Sequence, residues 1–509
     1  MHRLLTALIP LLLLSCNSRE QNPGPPRPPQ GGEERAEPAS ERVLALNPVY
    51  RELYQAYESY REPAITGRRF KHSDIIPLLQ RLRPPFEVSP AGQSIEGRSI
   101  NLVRLGNGPR TVLLWSQMHG DEPTATMALM DLFNFFSASD SFDPLRQRLL
   151  SELTLYFIPM LNPDGAEKYQ RRNALDIDLN RDALRLVTPE ARILKQARDQ
   201  TQAQWGFNLH DQSAYYGAGN AANTASISFL APAYNIEKDI NDVRGNAMRL
   251  IVLLDKLLQE HIPGKVAKYD DTFEPRAFGD NIQKWGTSTI LIESGGLEGD
   301  PEKQELRRLH FTILLAAFDA IASGSYQAAE IQDYEKIPFN NSNAFHDLIL
   351  REAQLEKNGQ WYTVDLGFRR TEVEYNDYQD HYHRGALADI GDLSTFYAYE
   401  QLDARGYQAV PGKTYPSAFA SLDELRKQDI PALLRQGYTT FQLANLPFRS
   451  HWAELPVEAT GAGNTPANQI RLNGNPSFLL RKDGEYRYAV INGYLYDLEN
   501  EEGIRKRLR

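Results

Sequence analysis

Short, wholly apolar runs alternate with amphipathic stretches from about residue 44 to residue 325. Thr111-Val112-Leu113-Leu114-Trp115 has the look of a strand buried on both faces, and residues 153–161 of another. Between them Leu129, Leu132, Phe133 and Phe136 recur at helical spacing behind Pro123, a residue suited to a first helical turn. Residues 205–209 and 288–292 are further strand candidates. This alternation predicts an α/β domain over residues 42–328, with a mostly parallel or mixed sheet. Beyond about Ile331 the texture changes. Residues 361–368, 438–443, 477–480 and 486–495 are β-like and separated by Gly, Asn and Asp, and residues 422–434 read as helix. Residues 329–509 are therefore expected to form a smaller, β-rich accessory domain.

The first residues follow a different pattern. His2 and Arg3 precede an apolar run from Leu4 to Leu14, followed by Ser15-Cys16. A basic end, a short hydrophobic stretch and a small residue read as an export signal over residues 1–16. The run is too short for a permanent membrane span. Leu13-Leu14-Ser15-Cys16 resembles a bacterial lipobox, which implies cleavage before Cys16 and a lipid on its sulfur. The expected location is outside the cytoplasm, anchored to a bacterial membrane and facing periplasm or exterior. Residues 17–41, crowded with proline, read as an extended tether. The chain has one cysteine, so no internal disulfide is expected. A net charge of −10 argues against a nucleic-acid partner, which needs a basic face.

Candidate chemistry gathers in the α/β part. In His119-Gly120-Asp121-Glu122 an imidazole and a carboxylate lie three apart on a loop behind a buried strand, where both can turn toward one ion such as Zn²⁺. The same spacing recurs in His451-Trp452-Ala453-Glu454 without such context, so alone it is a weak signal. His210 ends the strand candidate at 205–209, and Glu293 ends the very apolar run at 288–292. Open α/β sheets bind ligands beyond the carboxyl ends of their strands. His119, His210 and Glu293 all occupy such ends.

Taken with Glu96-Gly97-Arg98, Asn162-Pro163-Asp164-Gly165, Arg171 with Asn173, and Asp178-Leu179-Asn180-Arg181, these residues resemble the zinc carboxypeptidase family, in family order. The resemblance implies a mixed twisted sheet flanked by helices, Zn²⁺ held by His119, Glu122 and His210, and Glu293 as the base that activates water. It further implies Arg171 polarising the scissile carbonyl, and Asn180 with Arg181 gripping a terminal carboxylate. An aromatic cap on the substrate has its nearest match in Tyr269, with Tyr215 and Tyr216 as alternatives, and Arg276 stands beside the expected specificity pocket at Phe278-Gly279-Asp280. The implied activity is removal of a C-terminal residue from extracytoplasmic or cell-wall peptides. Two alternatives stay open: a zinc amidase acting on a non-peptide or cell-wall amide, and an inactive carbohydrate- or protein-binding lipoprotein. Asp182-Ala183-Leu184 and Asp211-Gln212 depart from the family pattern. His381-Tyr382-His383 is expected to be solvated surface.

Overall fold

The computed structural model describes residues 46–446 and 455–500. The expected signal, the tether, Cys16 and the His451–Glu454 pair lie outside the described residues.

Eight strands form the first sheet: β1 (Glu87–Gln93), β2 (Ser99–Leu105), β3 (Arg110–Trp115), β4 (Leu153–Ile158), β5 (Trp205–Asp211), β6 (Ile227–Leu230), β7 (Val266–Lys268) and β8 (Ser288–Ser294). Their order is β1-β2-β4-β3-β5-β8-β6-β7. The centre is parallel, with β3 beside β4 and β5, and β5 beside β8. The flanks carry antiparallel pairs, so the sheet is mixed. β3 shows why apolar runs build this core. Val112 and Leu114 face the helices α1 (Thr124–Ser137), α3 (Asp242–Leu258) and α5 (Gln304–Ser323), whereas Leu113 and Trp115 face α2 (Pro189–Thr201) and α4 (Phe278–Lys284). All four side chains are fully buried, each contributing about 1.5–3 kcal/mol on the scale for large apolar side chains. Pro123 stands one residue ahead of α1 rather than within its first turn, and its carbonyl accepts from Met127 N at 3.1 Å.

One ion pair joins α1 to α5 inside the core. Arg307 donates to both oxygens of Asp131, at 2.5 and 2.7 Å, with both side chains 0% exposed. Tyr57 Oη and the Glu62 amide complete the shell of Asp131 at 3.0 and 2.7 Å. A buried pair with its remaining lone pairs satisfied is the arrangement in which two charges can leave water.

The second sheet comprises β9 (Phe345–Lys357), β10 (Gln360–Tyr375), β11 (Asp380–Gly391), β12 (Tyr397–Asp403), β13 (Gln408–Pro411), β14 (Ser477–Lys482), β15 (Glu485–Ile491) and β16 (Tyr494–Asp497). It runs β11-β10-β9-β13-β14-β15-β16, with β12 also paired to β9. Three expectations change here. The β-like stretch at 486–495 is two strands, because Asn492 and Gly493 take φ values of 52° and 76° and close a two-residue hairpin. The helix expected over 422–434 is two short ones, Leu422–Leu425 and Ile430–Arg435. Asp429 caps the second of them at Ala432 N (3.1 Å), and Pro431 supplies no amide to continue the first. His381-Tyr382-His383 is part of β11 and half-buried, because that strand pairs with β10.

Candidate active site

Beyond Trp115 the chain turns sharply, with Gln117 at φ 45°, into the loop that carries His119 and Glu122. Gly120 is required there, since a Cβ would lie 2.0 Å from the Gly165 carbonyl carbon. That contact seats the loop on the Asn162–Gly165 turn, where the Asn162 side chain accepts from Gly165 N at 2.9 Å. His210 and Glu293 stand next to last in β5 and β8 and are direct register partners.

The structure brings His119, Glu122 and His210 together, all three buried, with one donor atom of each within 4.8 Å of the others. Glu122 spans the two imidazoles, its Oε1 lying 2.7 Å from His119 Nδ1 and its Oε2 2.7 Å from His210 Nδ1. The two Nδ1 atoms are 3.2 Å apart. Burial opposes a charge on His119, yet Glu122 and Asp178 outweigh it and hold the imidazole up at about 9. Glu122 is fully buried, and His119 and His210 nonetheless keep its carboxyl well below the usual range. His210 moves the other way, burial pushing its imidazole down despite Glu122, so the carboxylate keeps its charge between one ring pushed up and one pushed down. Ligands held roughly 2.0–2.1 Å from a tetrahedral zinc lie about 3.3 Å from one another, so the N₂O set fits Zn²⁺ in composition and spacing. Asp178 Oδ1 lies 3.2 Å from His119 Nε2 and orients the ring from behind, as carboxylates do for metal-bound imidazoles.

Glu293 is the fourth group. Its Oε2 is buried with no hydrogen-bond partner, and burial followed by the charge of Glu122 pushes its carboxyl well above the ordinary value. Arg171 reaches the cluster, with Nη1 3.0 Å from His119 Nδ1 and 3.3 Å from Glu122 Oε1, and is braced by Asp178 Oδ2 at 3.0 Å from Nη2. Its neighbour Arg172 turns away to the Asp176 carbonyl. Asn180 and Arg181 lie on a single 3₁₀ turn, Leu179–Arg181, capped by Asp178. Asn180 Oδ1 accepts from Phe278 N at 2.9 Å, which ties that turn to α4. Tyr269 follows β7 with its ring 6.1 Å from Tyr216, and burial with the charge of Glu293 pushes its phenol up, so it stays protonated beside that carboxyl. Tyr215 is turned elsewhere, donating to Asp347 at 2.6 Å. Arg276 is exposed and bonds Glu274 through Nε and Nη2, at 3.0 and 2.9 Å.

Two carboxylates were not singled out as site residues from the sequence. Asp178 braces His119 and Arg171 rather than pairing with Arg181. Its signal was its place at the head of the Asp-Leu-Asn-Arg string. Glu274 lies between Arg276 and Arg181, 3.4 Å from Arg181 Nε. Bonds from Arg276 hold it down at about 2 against slight burial. No pattern in Glu274-Pro275-Arg276 announces that position. Asp182 and Gln212, at the departures from the family pattern, have structural work: Asp182 caps the turn at Thr188, and Gln212 bonds the Ala225 carbonyl. A second cluster, Glu372 with His381 and His383, also has donor atoms within 4.8 Å of one another. Both Glu372 oxygens are engaged by Arg68 and Arg69, which opposes a cation there. A cavity of about 850 Å³ under Arg351, Asp365 and Arg405 lies within the second sheet and shares no residue with the metal cluster.

Residues 75–222 match the family model described as zinc carboxypeptidase. Carboxypeptidase SOL1 of Arabidopsis thaliana is 32% identical over 97 residues, 18% of this chain and 20% of that protein. Carboxypeptidase 2 of Trichophyton rubrum is 26% identical over 131 residues, 26% of this chain and 22% of that protein. The chain thus spans about a fifth of the length of these curated relatives. Among solved structures, a metallo-carboxypeptidase from Burkholderia cenocepacia aligns at a TM-score of 0.40 and 18% identity, covering 50% of this chain and 68% of that one. The stretch that matches the zinc carboxypeptidase model includes His119, Glu122, Arg171, Arg181 and His210.

Proposed function

We propose that this protein is a zinc metallocarboxypeptidase that removes the C-terminal residue of extracytoplasmic peptides. One observation carries the reading: the donors of His119, Glu122 and His210 converge beside Glu293, at the ends of adjacent parallel strands. Bound by those donors, zinc supplies the Lewis acidity that makes water nucleophilic near neutral pH. The chain's own residues do the rest. Asn180 and Arg181 receive the terminal carboxylate, a guanidinium fork suiting its two oxygens. Glu274 then gives up Arg181 and keeps Arg276. Arg171, braced by Asp178, donates to the carbonyl oxygen as negative charge develops on it. The raised carboxyl of Glu293 takes the proton of the attacking water and returns it to the departing amine. A C–O bond forms, the C–N bond breaks, and no other reactant is needed. Tyr269 caps the substrate on the side of Tyr216.

The same reading places catalysis in residues 42–328 and an accessory role in residues 329–509. The apolar run before Cys16 supports export and a lipid anchor at that sulfur. The test is metal content together with release of the last residue from an N-acylated dipeptide, measured with and without a chelator. One zinc per chain and chelator-sensitive release are expected, with no release when the C-terminus is amidated. Equal cleavage of the amidated peptide would refute the carboxylate grip, and protein free of zinc would refute the whole reading.

A further inference from the structure

The second sheet is seated across the metal cleft and touches both of its rims. On one rim, Arg68 and Arg69 donate to Glu372, Arg69 lies 3.4 Å from Glu374, and Lys71 Nζ lies 2.5 Å from Asp377. The side chains of Arg68 and Arg69 are only 11% and 5% exposed and that of Glu372 24%, so the Glu372 pairs on this rim are largely shielded from water, whereas Asp377 is exposed. On the other rim, Tyr215 Oη donates to Asp347 and accepts from Arg370 N at 3.3 Å, while Tyr399 Oη donates to the Ala214 carbonyl at 2.5 Å. Strands β9, β10 and β12 and the turn after β10 supply these contacts.

Between the rims lies a cavity of about 740 Å³. Asp121, Glu122 and Asp211 form its floor, and Arg370, His383 and Tyr494 belong to its roof. Asn180 and Arg181 do not line it. Of the three converging donors only Glu122 lines it, next to Asp121 and the Asp211–Ser213 segment, so the cavity opens from the Glu122 edge of the cluster and holds no residue of the carboxylate grip, which suits the substrate chain upstream of the cleaved bond. Pockets of about 300–1,000 Å³ enclose a ligand of drug size, which corresponds to a few residues of peptide.

We infer that the second sheet roofs the upstream half of the cleft and restricts the substrate to short, unfolded peptides. The inference rests on the carboxypeptidase reading above and adds a limit on substrate length. A thin chain end can thread beneath β10, whereas the C-terminus of a folded domain would carry its own bulk against the roof. Lifting the roof means separating the shielded Arg68 and Arg69 pairs as well as the hydrogen bonds of Tyr215 and Tyr399, so it does not open without cost.

The experiment uses the full chain and a series of N-acylated peptides that share one C-terminal dipeptide and lengthen upstream to about twelve residues, together with a small folded protein ending in the same residues. The expected kcat/KM rises over the first few added residues, then falls by about tenfold or more for the longest peptides and by more for the folded protein. Equal kcat/KM across the series would overturn the roof. No cleavage of the N-acylated dipeptide itself would instead overturn the carboxypeptidase reading. Two variants provide a second readout, Glu372→Ala on one rim and Tyr399→Phe on the other. Each is expected to raise the ratio of long-peptide to dipeptide kcat/KM by about threefold or more. A general folding defect would scale both substrates together, and an unchanged ratio in both variants would also overturn the proposal.

Discussion

Replacing Glu293 with Gln isolates proton transfer from metal binding. The residue stands next to last in β8 beside His210, and its Oε2 is buried without a partner. Gln preserves the volume and the backbone register but cannot accept a proton. A positioned general base is worth roughly 10²–10⁴ in rate, which at 1.36 kcal/mol per decade is about 3–5 kcal/mol of barrier. The expected kcat/KM of E293Q on an N-acylated dipeptide is therefore lower by at least about a hundredfold. Zinc content should stay at one per chain, because Glu293 is not among the three converging donors. Stability should move the other way. Burial and the charge of Glu122 both disfavour the ionised carboxylate, so the metal-free variant should be as stable as the parent or up to about 1 kcal/mol more so. The assays are steady-state kinetics, metal analysis and thermal unfolding with a chelator present. Retention of more than about a tenth of the activity would refute the assignment of the base. Loss of zinc would show that Glu293 serves the metal instead.

Other perturbations read other parts of the molecule. Arg181→Lys exchanges a planar fork for a point charge, and KM for a peptide with a free C-terminus should rise about tenfold or more with kcat little changed. A fall in kcat at constant KM would contradict the carboxylate grip. Asp131→Ala leaves Arg307 buried at 0% exposure without its counter-charge, and urea unfolding should show a loss of about 3–5 kcal/mol. A loss below about 1 kcal/mol would mean that the pair does not hold α1 to α5. Burial pushes the Glu372 carboxyl up, but Arg68, His381 and Arg69 outweigh it and hold it at about 2, below its ordinary 4.5. Its contribution to stability, on the order of 3 kcal/mol, is then complete above about pH 4.5 and is lost as pH falls toward 2. The stability of E372Q, followed by denaturant titration from pH 6 to 3, should fall less steeply with acid than that of the parent, and parallel curves would refute the shift.

The buried strands were legible because β3, β5 and β8 lie inside a sheet covered on both faces, which demands unbroken apolar runs. The positions of His119, His210 and Glu293 at strand ends were legible for the same reason. What escaped depends on contacts between distant segments. Glu274 meets Arg181 across 93 positions of the chain, and nothing local in either marks the encounter. Lys71 meets Asp377 across 306 positions, so the roof over the cleft has no sequence signature at all. His381 and His383 read as surface because their polar neighbours hide the pairing of β11 with β10. Asn492-Gly493 is a strong hairpin signal and Asp429 with Pro431 a helix start, but the apolar and aromatic residues on either side continue the period across both breaks and mask them.

The adjacency of His210 and Glu293 in the ladder of β5 and β8 means that their separation is dictated by interstrand spacing, roughly 4.7–4.9 Å, rather than by how well any loop is packed. The residues proposed to meet the substrate, Asn180, Arg181 and Tyr269, lie on the 178–181 turn and on the segment that follows β7, outside that ladder. The segment around Tyr269 can therefore drift in length and composition without moving that rung, whereas Asp178 ties the 178–181 turn to His119 and Arg171 and limits how far that turn can change.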